Sequence, residues 1–331
     1  MAHRASCRRR SLAALGMTGG PYPVLGSGCS PGGSTMQERM IGAVKVTRVE
    51  EMMGPGFPAS QFFPEFDAET FKAQEHWLAP RYYDPPSGKL MTSIHSWLVR
   101  TERHTILIDT CSGNHKPRPG MPRFDMLNSP WLERLAAAGV APEAVDFVMC
   151  THLHVDHVGW NTRLDNGTWV PTFPNAKYLM SRADHEHWQK VARTQDAPAF
   201  ERNTYNDSVL PVVEQGKAVM IDDGHACGDC LTVRAADGHT PGHVRVDLAS
   251  QDRRAVFSGD ALHNPVQVPL WRWNSVFCTD RDQARRTRHG ILAHCAETGA
   301  LLMPAHFAAP HAARIKAKGD AFELDWDWET R

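Results

Sequence analysis

Residues 151–160 read THLHVDHVGW and follow directly on the apolar run VDFVMC at 145–150. Within this stretch His152, His154, Asp156 and His157 crowd together. On a regular strand residues 152, 154 and 156 would point to one side, and three polar groups buried together without partners would be costly. A loop folded around divalent ions removes that cost. Imidazole and carboxylate suit zinc and its first-row neighbours, and so many donors in so short a segment point to two adjacent ions rather than one. The cluster also begins at the C-terminal end of a predicted strand, where open α/β sheets place their ligands.

Three later stretches offer further donors in similar settings. ADGHTPGHVRV (236–246) carries His239 and His243 in a glycine-rich turn between two predicted strands, VFSGDALH (256–263) puts Asp260 after a strand, and LLMPAHF (301–307) does the same for His306. Donors gathered from several strand ends are expected where a scaffold positions a catalytic site.

In order, HLHVDH, TPGH, SGDALH and PAHF resemble the motifs of the metallo-β-lactamase superfamily, specifically its binuclear metallohydrolase branch. The resemblance spans Ile41 to Phe307 and implies an α/β fold, the four-layer αβ/βα sandwich of two mixed sheets with helices outside. It implies one metal on His152, His154 and His243, a second on Asp156, His157 and His306, and Asp260 bridging both together with a hydroxide. The expected cofactor is Zn²⁺, two per chain, with Mn²⁺, Fe²⁺ or Co²⁺ as substitutes. Asp109, ending ILIDT, is expected to orient a ligand imidazole, and His239 to shape the turn behind the ligands. Asp156 is the expected proton carrier to the leaving group.

The family acts on many substrates, so the fold does not choose among them. GDALHNPVQ resembles the pattern GDxxHxxxVQ of methyl parathion hydrolase-like and related lactonase-like enzymes, although Val266 and Gln267 come one residue early. In acyl-homoserine lactonases a tyrosine stands three residues after the aspartate. Here that position is His263, a candidate catalytic donor to the substrate oxygen. Trp160, Trp271, Trp273 and Phe307 follow the metal motifs closely and are candidates for the pocket wall. An uncharged aromatic pocket favours a small, neutral, hydrophobic lactone or ester, with phosphotriesterase side activity. A hydrolytic dehalogenase of chlorinated aromatics, similar to chlorothalonil dehalogenase, is the alternative reaction, and a non-catalytic metal-binding module is the alternative class. A flavodiiron-type protein would need a fused flavodoxin-like domain, and no such segment exists.

Around these motifs the periodicity alternates strands with helices and shows no linker, so 41–331 reads as a single hydrolase domain. Residues 1–40, rich in Gly, Ser, Pro and Arg, read as a disordered leader whose basic start lacks the apolar run of an export signal. Asp67 is the expected cap of a helix running toward Trp77, and Ser129 and Ser181 the expected caps of two others. The 36 basic and 37 acidic residues cancel to a net charge of −1, which excludes the field that would draw nucleic acid or an anionic membrane. No run is long enough to span a bilayer. Eight dispersed cysteines, including the CxxC pair Cys227 and Cys230, fit reduced thiols in a cytoplasmic protein, and a homodimer is the candidate assembly.

Overall fold

The structure, a computed structural model, describes residues 38–325. Most of the expected leader therefore lies outside the described residues. Glu38, Arg39 and Met40, assigned to that leader by composition, instead pair in a strand.

The first sheet is built mostly from the N-terminal half. Strands β1 (Glu38–Ile41) and β2 (Val44–Pro58) form a hairpin, and β2 continues as the antiparallel partner of β4 (Lys89–Arg100), whose outer end also pairs with the short β3 (Tyr83–Asp84). From β4 the sheet passes to β5 (Thr105–Ile108), then by parallel steps to β6 (Phe147–Met149), and, beyond the excursion hairpin β7 (Thr162–Asp165) and β8 (Thr168–Pro171), to β9 (Lys177–Ser181) and β10 (Ala218–Ile221). The second sheet runs in order β11 (Ala226–Cys227), β12 (Leu231–Ala235), β13 (Val244–Ser250), β14 (Arg253–Phe257) and β15 (Leu301–Met303). A separate hairpin, β16 (Arg314–Lys318) with β17 (Ala321–Asp325), closes the described chain.

Alternation along the strands sorts their side chains into layers. In β5, Ile106 and Ile108 face the second sheet while Leu107 faces away; in β4, Trp97 and Val99 face in and Leu98 out. The second sheet mirrors this, with Ala255, Phe257, Leu301 and Met303 meeting the first sheet and Val256 and Leu302 turned outward. The outer face of the first sheet is covered by α3 (Trp131–Ala137), α4 (Arg182–Ala192) and α5 (Ala199–Ser208), and that of the second by α7 (Arg281–Thr298) and the closing hairpin. Helix, sheet, sheet, helix is the four-layer αβ/βα sandwich. A fourth apolar cluster joins α1 (Ala59–Phe62) and α2 (Ala68–Leu78) to the loop after Asp260 through Phe63, Phe71, Val266 and Trp273.

Two of the three expected caps differ. Asp67 accepts the Thr70 amide at 2.7 Å and starts α2. Ser129 does not cap α3, because its hydroxyl turns to Glu51 and Asn114, and the helix starts one residue later, after Pro130. Ser181 stands at the start of α4 without a side-chain bond to it. The segment 196–216 holds α5 and α6 (Leu210–Glu214). Among the described residues no helix is long and apolar enough to cross a membrane.

Candidate metal centre

The loops leaving β5, β6, β12, β14 and β15 at their C-terminal ends meet at one place and carry Asp109, residues 151–157, His239, Asp260 and His306. Asp260 is at its centre. Its Oδ2 lies 3.3 Å from His239 Nε2, 3.7 Å from His152 Nε2 and 3.1 Å from His263 Nε2. Its Oδ1 lies 2.9 Å from His306 Nε2 and 3.2 Å from His157 Nε2. One carboxylate thus faces two sets of imidazoles, one oxygen to each.

The first set, His152, His154, His239 and Asp260, packs tightly, with His154 Nδ1 3.0 Å from His152 Nε2 and 2.9 Å from His239 Nε2. The second comprises Asp156, His157 and His306, with both ring Nε2 atoms 3.7 Å from an Asp156 oxygen. His157 Nε2, Asp260 Oδ1 and both ring nitrogens of His263 are buried without a hydrogen-bond partner. Buried lone pairs that converge without donors between them are what cations satisfy, so the donor set fits two divalent ions.

Backbone geometry explains how the loops reach this point. Asp109 takes a left-handed φ of +57° directly after β5, which turns its carboxylate under the 151–157 loop. There its Oδ1 accepts the Thr151 amide at 2.7 Å and its Oδ2 accepts the Thr151 hydroxyl and His157 Nδ1, each at 2.8 Å. It is therefore the ring-orienting carboxylate. Gly259, φ +48°, lets the chain pass so close that a Cβ there would sit 2.6 Å from His243 Nε2.

That contact corrects one expectation. His243 does not face the cluster: its Nε2 accepts the Asp260 amide at 3.0 Å and its Nδ1 donates to the Ala236 carbonyl at 3.1 Å, so both nitrogens are spent on backbone. His239, expected behind the ligands, occupies the place reserved for His243. The two are four residues apart in a turn, and only the turn's course decides which imidazole points inward.

Electrostatics follow the same division. Burial holds His152 and His154 well below the ordinary imidazole value, leaving neutral rings with free lone pairs. Burial also pulls on His157, but Asp260, Asp109 and Asp156 outweigh it and lift it well above. For Asp260 burial works upward, yet the facing imidazoles of His157, His306, His263 and His152 hold it well below the usual carboxylate range. The central carboxylate stays ionised.

His263 lies inside the cluster, its ring stacked 5.5 Å from that of His306. The four expected wall residues lie elsewhere. Trp160 stacks on Trp131 at 5.5 Å and donates to Glu51 in the core. Phe307 is buried under α7, and Trp273 packs among Phe63, Phe66 and Phe71. Trp271 rests on His289 and donates to the Asp320 carbonyl. Sequence proximity to the metal motifs misled here, because Trp160, Trp273 and Phe307 turn back into apolar clusters and Trp271 lies half-buried on α7. The aromatic rings beside the cluster are instead Trp188 of α4, 5.1 Å from the His154 ring, and Phe62, 5.2 Å from the His263 ring, with Phe57 and Phe277 packed on Phe62 at 5.9 and 6.0 Å. Phe57 and Phe62 precede the motifs by a long stretch of chain, so no local signal ties them to the site. Asp184 was also missed: from the first turn of α4 its Oδ2 accepts the Leu153 amide at 2.8 Å, and burial pushes its pKa up to about 6. Cys227 and Cys230 are free thiols outside the donor groups.

Among solved structures, the chain is similar to the hydrolase AbOPH of the β-lactamase superfamily at 24% identity and a TM-score of 0.73, covering 87% of this chain and 96% of that one. It is similar to AidC, a dizinc quorum-quenching lactonase, at 21% identity and a TM-score of 0.71 over 88% and 96% of the two chains. A probable metal-dependent hydrolase from Staphylococcus aureus matches at 18% identity and a TM-score of 0.69 over 87% and 99%. The profile of the Metallo-beta-lactamase superfamily matches residues 91–310, the span that contains every donor of the cluster. By that match, over more than half of its length, the chain belongs to the metallo-β-lactamase superfamily.

Proposed function

We propose that this metal-dependent hydrolase opens a small, uncharged, hydrophobic lactone or ester, with zinc at both metal positions. The observation that carries the substrate class is Phe62, which packs on His263, together with the half-buried Phe57 and Phe277 that pack on Phe62. An apolar wall beside ionic machinery seats the hydrocarbon part of a substrate and keeps water from it. AidC, named as a dizinc quorum-quenching lactonase, lends support from a similar fold.

His152, His154 and His239 would hold one ion, Asp156, His157 and His306 the other, and Asp260 both. His-rich sets of this kind suit zinc. Bound there, the ions would lower the pKa of a water and take up charge developing on the substrate oxygen. The chain's own groups do the rest. Asp109 fixes the His157 ring, and the Asp260 amide is fixed by His243. Asp156 has the more exposed carboxylate, 15% against 5% for Asp260, and is placed to carry a proton to the leaving group. His263 can donate a ring N–H to the substrate oxygen.

The test is a panel of p-nitrophenyl acetate, a γ-lactone, paraoxon and a chlorinated aromatic nitrile with the zinc-loaded protein. Turnover of the lactone or ester above the phosphotriester is expected. Chloride release from the nitrile with no lactone or ester turnover would overturn the reading in favour of a hydrolytic dehalogenase.

A further inference from the structure

An imidazole that binds metal through one nitrogen needs its other nitrogen held, and four rings of the cluster do this with different chemistry. His157 Nδ1 meets the Asp109 carboxylate at 2.8 Å, His306 Nδ1 the Ser93 carbonyl at 2.9 Å and His152 Nδ1 the Thr151 hydroxyl at 3.1 Å. His239 Nδ1 meets a thiol, Cys278 Sγ, at 3.8 Å. The sulfur belongs to none of the three donor groups.

This approach is built into the backbone. Thr279 donates both its amide and its hydroxyl to the His239 carbonyl, at 3.0 and 3.1 Å, and the Asp280 amide donates to the Gly238 carbonyl at 3.0 Å. The thiol is further steadied by the Ser275 hydroxyl at 3.5 Å. Gly238 adopts φ +123°, and a Cβ there would come within 2.2 Å of the Ala284 amide, so the His239 turn is pressed against the first turn of α7. Asp280 starts that helix by accepting the Gln283 amide at 2.9 Å. Sulfur, imidazole and helix start therefore form one unit.

We propose that Cys278 is the positioning residue of His239: its sulfur accepts the Nδ1–H, selects the tautomer with Nε2 free toward His152 and His154, and so sets the metal affinity of that position. The proposal rests on His239 being a ligand. A thiol is a weak acceptor, yet it is the partner this ring has, and losing the outer partner of a ligand histidine lowers metal affinity about 10–100-fold.

The experiment is cobalt titration of the metal-depleted full chain, read by competition with a chromophoric chelator and by the visible absorption spectrum. Uptake of two cobalt ions by the parent protein tests the metal centre itself, and its failure would sink that reading before Cys278 is at issue. Given two ions, Cys278→Ala should weaken one of them about 10–100-fold and shift the spectrum while the other is unchanged. Cys278→Ser, which keeps an acceptor, should restore most of the affinity. Cys295→Ala, a buried thiol of α7 facing the apolar cluster under the second sheet, should change neither. Parent-like affinity in Cys278→Ala, or equal losses in the alanine and serine variants, would overturn the proposal, the second outcome meaning that packing alone is at work. A sulfur-to-cobalt charge-transfer band in the parent that vanishes in Cys278→Ser would also overturn it, because the thiolate would then be a ligand.

Discussion

Two buried polar clusters lie among the described residues, and they are built on opposite terms. Around Asp260, imidazoles and carboxylates face one another with nitrogen and oxygen atoms left unpartnered. Around Asp207, which no motif announces, Arg118 makes a two-pronged pair at 2.6 and 2.7 Å, Lys116 reaches the Thr162 hydroxyl at 2.8 Å and lies 3.8 Å over the Trp169 ring, and Ser208 donates to the carboxylate. Of that second cluster's side-chain atoms only Arg118 Nε is left without a partner. Both are costly to bury. The matched cluster closes on itself and holds structure, tying the loop after β5 to α5 and β7. The unmatched one is completed only by something brought from outside, and that marks it as the site.

Removing the central carboxylate of each cluster should have opposite consequences. Asp260→Asn should produce the largest effect, a fall in kcat/KM of about 10⁴-fold, or about 5 kcal/mol, accompanied by metal loss, because both sets of imidazoles lose their shared carboxylate. Steady-state kinetics beside elemental analysis would show it, and a variant retaining activity within tenfold would contradict the central place of Asp260. Asp207→Asn should instead lower stability by about 3–5 kcal/mol, since the buried Arg118 guanidinium loses its counter-charge, while metal content per folded molecule stays at the parent level. Denaturant unfolding with a parallel metal assay separates these outcomes. Loss of metal without loss of stability would mean that the two clusters had been assigned in reverse.

A finer distinction concerns His263, which sits among the donors yet is proposed to serve the substrate. His263→Ala should cost about 10²–10³-fold in kcat, about 3–4 kcal/mol, with both ions retained. If the ions leave with it, His263 is a ligand and the proton-donor role falls. The smallest effect, taken over a single pH unit, is a pH dependence at the matched cluster. Burial pushes Lys116 down to about 7, with Asp207 working the other way. Between that value and the ordinary lysine pKa the unfolded chain holds a proton that the folded chain has lost. Stability should therefore rise with pH from about 7 toward 10, by at most about 1.4 kcal/mol per pH unit. Lys116→Met should flatten that slope in unfolding curves taken across the range.

How much of this could be read from the sequence depended on how local each signal was. The donors His152 to His157 share one loop, and Asp260 and His306 each follow an apolar strand, so residue type marked them as donors and the resemblance of the motifs to a known family brought them together on paper. The choice between His239 and His243 was not local: it turns on Gly259 letting the Asp260 amide reach His243 Nε2. The pocket wall failed for a related reason. Trp160 leaves the metal loop and turns back into the core to satisfy Glu51, whereas Phe62 reaches His263 from a distant part of the chain. Lys116, Arg118 and Asp207 are ordinary charged residues in sequence, and only their joint burial gives them meaning. The strands that lead into the motifs were legible as short apolar runs, a property of neighbours, whereas the hairpins β7–β8 and β16–β17 were not read from the sequence.

The unmatched cluster is expected to be a binuclear metal centre. Elemental analysis of the purified chain, with activity measured on the same sample, tests it most directly. The prediction is close to two divalent ions per chain, zinc foremost, removed together with activity by a chelator and restored together by zinc. Well under one ion per chain in a fully active preparation would contradict it.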